Sequence, residues 1–389
     1  MCLNCLGPLE VTYDYEKIGC NVNRDEISSR PLNLWRYREL LPVTDTPIAG
    51  NYSGWTPLIH ARRLGEYLGL SKLYLKDDST NRPTLSYKDR VVPVAISRGI
   101  ELGFKIFACA STGNLGNALA AHCAAAGLES LIFIPDDIEP AKITASLLCG
   151  PRVITLEGNY DEVNRLCAQI GDEYGWGFVN VNLRPYYTEG AKTLGFEIAE
   201  QMNWKLPDHM VLPTAGGTLL PKVEKAFDEL RLLEWAYGDT KLHVAQASGC
   251  APVVNALEAG KDEIDPVKPQ TIAKSIAIGD PADGPYVISA VRNSGGKGLV
   301  VQDEEILQAI ELLAKYEGIL CEPAGGTTLA AAIKLANNSE IAPTETVVVG
   351  LTGNAYKSIE VFNGRTSIGG KMRPNLRIFK DWYENVSSL

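Results

Sequence analysis

Histidine is scarce in this chain, with four in 389 residues, at His60, His122, His209 and His243. They are too scattered to suggest a metal site, and structural histidines are the expectation. Positive charge is in deficit. The net charge is −10, which argues against non-specific binding to nucleic acid or an acidic membrane surface. An anionic substrate would therefore need a local basic pocket. No apolar run is long enough to span a bilayer. The start, Met1-Cys2-Leu3-Asn4-Cys5, lacks the basic segment and apolar run of a secretory signal. There is no internal repeat and no low-complexity segment. Cysteines are not arranged as a framework. Nine are scattered, and Cys109, Cys123 and Cys321 lie inside apolar runs, as reduced thiols of a cytoplasmic protein would.

What is present is an ordinary globular balance, 45% hydrophobic and 22% charged, in a chain long enough for two domains. Strand-like runs at 73–76, 106–110, 130–135, 152–157, 209–213, 241–246 and 346–351 alternate with helical patterns. The helical patterns cover 118–126, 160–174, 194–202, 220–232, 303–316 and 325–336. This alternation predicts an α/β fold with mostly parallel sheets covered on both faces, and the length predicts two of them. Residues 9–13 alternate and read as a short strand, 281–285 as an ordered turn and 293–298 as a surface loop.

Four motifs carry chemistry. Ser86-Tyr87-Lys88-Asp89-Arg90 places a lysine at a helix start beside the apolar run 91–96. Desolvation there would lower its pKa and make its amine able to hold a carbonyl cofactor. A lone lysine in a helix first turn is ordinarily a surface group, so the neighbours matter. Ser111-Thr112-Gly113-Asn114-Leu115-Gly116-Asn117 follows a strand and opens an Ala-rich helix. One cap residue would suffice for the helix; two glycines and two asparagines suggest close approach to a ligand. Thr214-Ala215-Gly216-Gly217-Thr218 also joins a strand to a helix, and its successive backbone N–H groups suit a phosphate. It is neither a P-loop, since no Gly-Lys-Ser/Thr follows, nor a three-glycine dinucleotide turn. Thr352-Gly353-Asn354 follows the strand at 346–351, where open α/β sheets place ligand contacts.

Together these motifs resemble the fold-type II pyridoxal-phosphate enzymes. Within them the chain is similar to the threonine synthase family over nearly its whole length. The segments that carry this are Leu34-Trp35-Arg36-Tyr37-Arg38-Glu39-Leu40-Leu41-Pro42, Gly54-Trp55-Thr56-Pro57-Leu58, Glu189-Gly190-Ala191-Lys192-Thr193 and Glu317-Gly318-Ile319-Leu320-Cys321-Glu322-Pro323-Ala324, besides the motifs above.

The resemblance implies two open α/β domains with pyridoxal 5'-phosphate in the cleft between them. The small domain would span 94–188 and the large one 31–93 with 189–389, after an N-terminal arm at 1–30. Lys88 would be the Schiff-base lysine and proton carrier. Asn114 would bond the cofactor's 3′-oxygen, and Ala215, Gly216, Gly217 and Thr218 its phosphate. Thr352 would meet the pyridine nitrogen. Ser111, Thr112, Arg184 and Lys192 would serve the substrate. The implied reaction converts O-phospho-L-homoserine and water to L-threonine and phosphate, in a cytoplasmic homodimer. The alternative is a relative acting at the β-carbon, a cysteate synthase or a serine/threonine dehydratase. A binding protein that kept the fold is a third reading, and the intact Lys88 argues against it.

Two departures bear on the substrate. Many threonine synthases carry an arginine two residues before the Glu of Glu-Gly-x-Lys-Thr, and here that position is Tyr187. Gly353-Asn354-Ala355-Tyr356-Lys357 stands where a Gly-His-Gly-Leu-Lys-like run is common. Some relatives begin with a zinc ribbon of two Cys-x-x-Cys pairs. Only Cys2 and Cys5 form such a pair here, with Cys20 further on, so the expectation is a remnant or a truncated start, without metal.

Overall fold

The computed structural model describes residues 9–111, 113–135, 140–157, 160–368 and 371–386. Residues Met1–Lys357 form one compact unit and Ser358–Leu389 a second. Cys2, Cys5 and Thr112 lie outside the described residues.

The first unit holds two sheets. Their strands are β1 (Leu58–His60), β2 (Lys72–Asp77), β3 (Ile106–Ala110), β4 (Glu129–Pro135), β5 (Arg152–Leu156), β6 (Gly177–Phe178), β7 (His209–Pro213), β8 (Lys241–Ala247), β9 (Gly298–Val301) and β10 (Thr346–Leu351). The six-stranded sheet runs β1-β2-β10-β7-β8-β9 and the four-stranded sheet β5-β4-β3-β6. Every pairing is parallel except β1 with β2. This is the α/β architecture expected of the β-α alternation.

Its cause is visible in composition. Thr346-Val347-Val348-Val349-Gly350-Leu351 and His209-Met210-Val211-Leu212-Pro213 are buried along their whole lengths, because helices cover both faces. β10, the last strand in the chain, lies between β2 and β7. Its register sets Val349 opposite Leu75 on one side and Val211 on the other. The turns after β2, β10 and β7 therefore emerge side by side at the carboxyl end of the large sheet, and the turn after β3 leaves the carboxyl end of the small one. Open parallel sheets bind ligands at this edge.

The stretch 9–13 forms no strand, correcting the expectation of one. Tyr13 and Tyr15 instead direct their hydroxyls to Glu189 at 2.7 Å and Glu229 at 3.0 Å. Alternation there reflects side-chain anchoring rather than a ladder. The turn expected at 281–285 includes the first turn of the helix Gly284–Asn293. Pro285 at its start explains the turn-like signature.

Candidate active site

Lys88 opens the helix Lys88–Glu101. The turn before it is held by Asp89, whose carboxylate accepts from the Thr84 amide at 3.0 Å, the Thr84 hydroxyl at 2.9 Å and the Ser86 amide at 3.4 Å. His122 Nε2 lies 3.2 Å from the same carboxylate. The turn is also stitched to the segment after β10. Tyr87 N donates to Thr352 O at 2.9 Å, Asn354 N to Leu85 O at 3.2 Å, and Ser86 bridges Gly353. Glu322 N in turn donates to Gly353 O at 2.9 Å. Two of the four sequence motifs and the segment carrying Glu322 thus meet through backbone bonds, which fix their relative position more firmly than side chains could.

The Lys88 amine donates to the Tyr187 hydroxyl at 2.7 Å and sits 4.7 Å from the centre of the Tyr87 ring. Burial pushes it down to about 8, against a partial offset from the Glu322 charge. A lysine near this value is part free amine at neutral pH, as a nucleophile requires. Tyr187 reaches it because the helix Arg184–Glu189 comes very close to the Lys88 helix. At Gly190 a Cβ would lie 2.4 Å from Arg90 O, so only glycine allows the approach.

Asn114 opens the helix Asn114–Ala126. Its amide nitrogen donates to Glu322 at 3.1 and 3.2 Å, and its oxygen accepts from Lys357 at 2.8 Å. Ser111 accepts from Gly113 N at 3.3 Å. Burial raises the Glu322 carboxyl above the usual range, although the Asn114 bond and Lys357 charge oppose this.

The turn after β7 contains Gly217 at φ +96°, and a Cβ there would meet the Asp283 backbone at 2.7 Å. Asp283 holds the turn from outside. Its amide donates to Gly216 O at 2.9 Å, and its carboxylate accepts from Thr218 at 3.0 Å and from Arg184 at 2.6 Å. The Thr214 hydroxyl is buried with no partner among the described residues. A glycine turn at a helix start with an unpartnered buried hydroxyl fits a phosphate. The charged 3′-oxygen of a pyridoxal ring fits the Asn114 amide, and its aldehyde fits the Lys88 amine.

Lys192 does not join this group. It is fully buried, with its ammonium 2.8 Å from Glu189 and 2.9 Å from Glu229, and 4.1 Å from the centre of the Tyr13 ring. The sequence did not single out Glu322 or Asp283, and Tyr187 and the run ending at Lys357 stood out there only as departures. The signal for Glu322 was present: an acid before proline at a helix start, in the apolar run Ile319-Leu320-Cys321.

Residues 51–353 match the family model described as pyridoxal-phosphate dependent enzyme. The chain is 36% identical over 356 residues to a threonine synthase of Methanocaldococcus jannaschii, covering 91% of this chain and 87% of that protein. It is 37% identical over 358 residues to a threonine synthase of Methanosarcina acetivorans, covering 92% and 87%. Among solved structures it is similar to diaminopropionate ammonia lyase from Escherichia coli, with TM-score 0.69 at 19% identity, covering 87% of this chain and 91% of that one. It is similar also to maize serine racemase, with TM-score 0.66 at 20% identity, covering 86% and 93%. At such identities the likeness is one of fold.

Proposed function

Because the chain belongs to the pyridoxal-phosphate dependent enzymes and, within them, to the threonine synthases, we propose that it converts O-phospho-L-homoserine and water to L-threonine and phosphate. The observation that carries the reading is Lys88: a buried amine at a helix start, bonded to Tyr187, where the turns after β2 and β10 are tied together.

When bound, pyridoxal phosphate supplies an electron sink that acidifies carbon–hydrogen bonds of an attached amino acid. The protein's part is to hold, orient and move protons. Lys88 would hold the cofactor's reactive carbon and, as a free amine, would carry protons among the substrate's α, β and γ carbons. Its value near 8 suits both taking and returning a proton. The amides of Ala215, Gly216, Gly217 and Thr218 hold the phosphate, with Asp283 keeping their turn in shape. Asn114 holds the 3′-oxygen. Thr352, a neutral hydroxyl, would face the ring nitrogen and would not force a charge on it, which would temper the sink. Ser111 and Thr112 hold the substrate's anionic groups. Arg184 stands in for the arginine replaced by Tyr187, and its bond to Asp283 sets it beside the phosphate turn. Lys192 serves the substrate only indirectly, by anchoring the helix that carries Tyr187.

The reading extends to a division into a small domain over 94–188, which contains the four-stranded sheet, and a large one around the other sheet. It extends also to a homodimer in the cytoplasm. Free thiols at Cys109, Cys123, Cys167, Cys250 and Cys321, all buried, support the cytoplasm, and family resemblance supports the dimer. No helix among the described residues is long and apolar enough to cross a membrane.

The test is Lys88→Ala. The variant should lose both turnover and the visible absorbance of lysine-held cofactor. Retention of either overturns the assignment.

A further inference from the structure

Lys357 enters the site from the segment after β10 that also carries Thr352, and nothing in the reaction outlined above uses it. Its ammonium is half-buried and donates to the Asn114 oxygen at 2.8 Å. The other end of that amide reaches both oxygens of Glu322. The amide's direction is thereby set, with a cation on one side and a buried acid on the other.

The charge on Lys357 is left over. Arg184 is paired with Asp283, Lys76 and Arg90 with Glu197, and Lys192 with Glu189 and Glu229. Among the described residues Lys357 makes no ion pair. The acids that act on it from a distance are Glu322 and Asp89. Asp89 is already committed to Thr84, Ser86 and His122. Glu322 is buried, and burial favours its neutral form. A partly desolvated ammonium whose nearest partner is a neutral amide oxygen gains most from an anionic oxygen brought beside it.

We propose that Lys357 is an oxyanion-binding residue of this site, with its ammonium taking a negatively charged oxygen presented next to the Asn114 amide. Two sources have that chemistry, the 3′-oxygen of the cofactor ring and the carboxylate of the amino-acid substrate. The proposal rests on the cofactor reading above.

The experiment compares the full chain with Lys357→Met, Lys357→Gln and Lys357→Arg. One arm measures the dissociation constant of pyridoxal phosphate from cofactor-free protein and the pH midpoint of the bound cofactor's visible absorbance. The other measures KM and kcat for O-phosphohomoserine. Loss of the cation should cost roughly tenfold or more in one arm, as expected of a charge-assisted bond, and Lys357→Arg should recover most of it. If the cofactor oxygen is the ligand, Lys357→Met weakens cofactor binding and moves the absorbance midpoint to higher pH, since a nearby cation favours the deprotonated form. If the substrate carboxylate is the ligand, KM rises while kcat and the cofactor arm hold. Both arms within twofold of the parent for Lys357→Gln, or Lys357→Arg no better than Lys357→Met, overturn the proposal. If the parent chain fails to turn over O-phosphohomoserine, the function reading fails while the cofactor arm still judges Lys357.

Discussion

At the scale of single residues, the pair Lys88 and Tyr187 defines the chemistry. The Tyr187 hydroxyl accepts from the ammonium and so favours the charged amine, while burial disfavours it and wins. In cofactor-free protein, the reactivity of Lys88 toward an amine-selective reagent should rise with pH through a midpoint near 8. Tyr187→Phe removes the acceptor and should move that midpoint lower. A midpoint at an ordinary lysine value, or one raised by the substitution, would refute this account. Lys88 was legible in the sequence because an apolar run follows it. The role of Tyr187 was not, because its contact with Lys88 spans 99 positions and depends on a helix approach that only Gly190 permits. Lys192 looked like a site residue by its motif, yet its amine is consumed by Glu189 and Glu229.

At the scale of elements, the phosphate turn is the part most exposed to test. Gly217→Ala places a Cβ at φ +96° and against Asp283, a strain of about 1–3 kcal/mol. Cofactor affinity should fall by roughly tenfold or more, measured by equilibrium titration. Arg184→Ala should raise the cofactor dissociation constant as well as the KM for a phosphorylated substrate, because Arg184 braces Asp283 and Asp283 braces the turn. A change in KM alone would show that Arg184 touches only substrate. Long strands were easy to read: the spans at 106–110, 209–213 and 346–351 coincide with β3, β7 and β10. β1 and β6 were missed, since three and two residues are too few to show a period. β9 begins at Gly298, the last residue of the Asn-Ser-Gly-Gly-Lys-Gly segment, whose turn residues masked its start.

At the scale of the whole molecule, buried charge holds together what the sheets bring near. Glu197 meets Lys76 at 2.7 Å and Arg90 at 2.5 Å, all three fully buried. Burial alone would raise the Glu197 carboxyl, but Arg90 and Lys76 bring it down to about 2. Glu189 is likewise at about 2, with burial outweighed by Lys192, Lys222 and Lys225. Depressed carboxyls stabilise the fold above their unfolded values and lose that contribution as pH falls. The melting temperature should therefore hold near neutrality and drop as pH goes from about 4.5 toward about 2. Glu197→Gln leaves two cations short of their partner and should cost about 3–5 kcal/mol in denaturant unfolding at pH 7. No change in that unfolding would show that the network is not what holds the turn before Lys88 to the sheet. None of this network was legible in the sequence, because charged residues carry no periodic mark of burial and their partners lie up to 121 positions apart. The central claim concerns what the assembled site does. The measurement that tests it most directly is phosphate release from O-phosphohomoserine by the pyridoxal-phosphate-loaded chain, with amino-acid analysis of the product. Threonine and phosphate in equal amounts are the predicted result. No release from protein that still shows the absorbance of lysine-held cofactor, together with turnover of O-phosphoserine and sulfite, would contradict it.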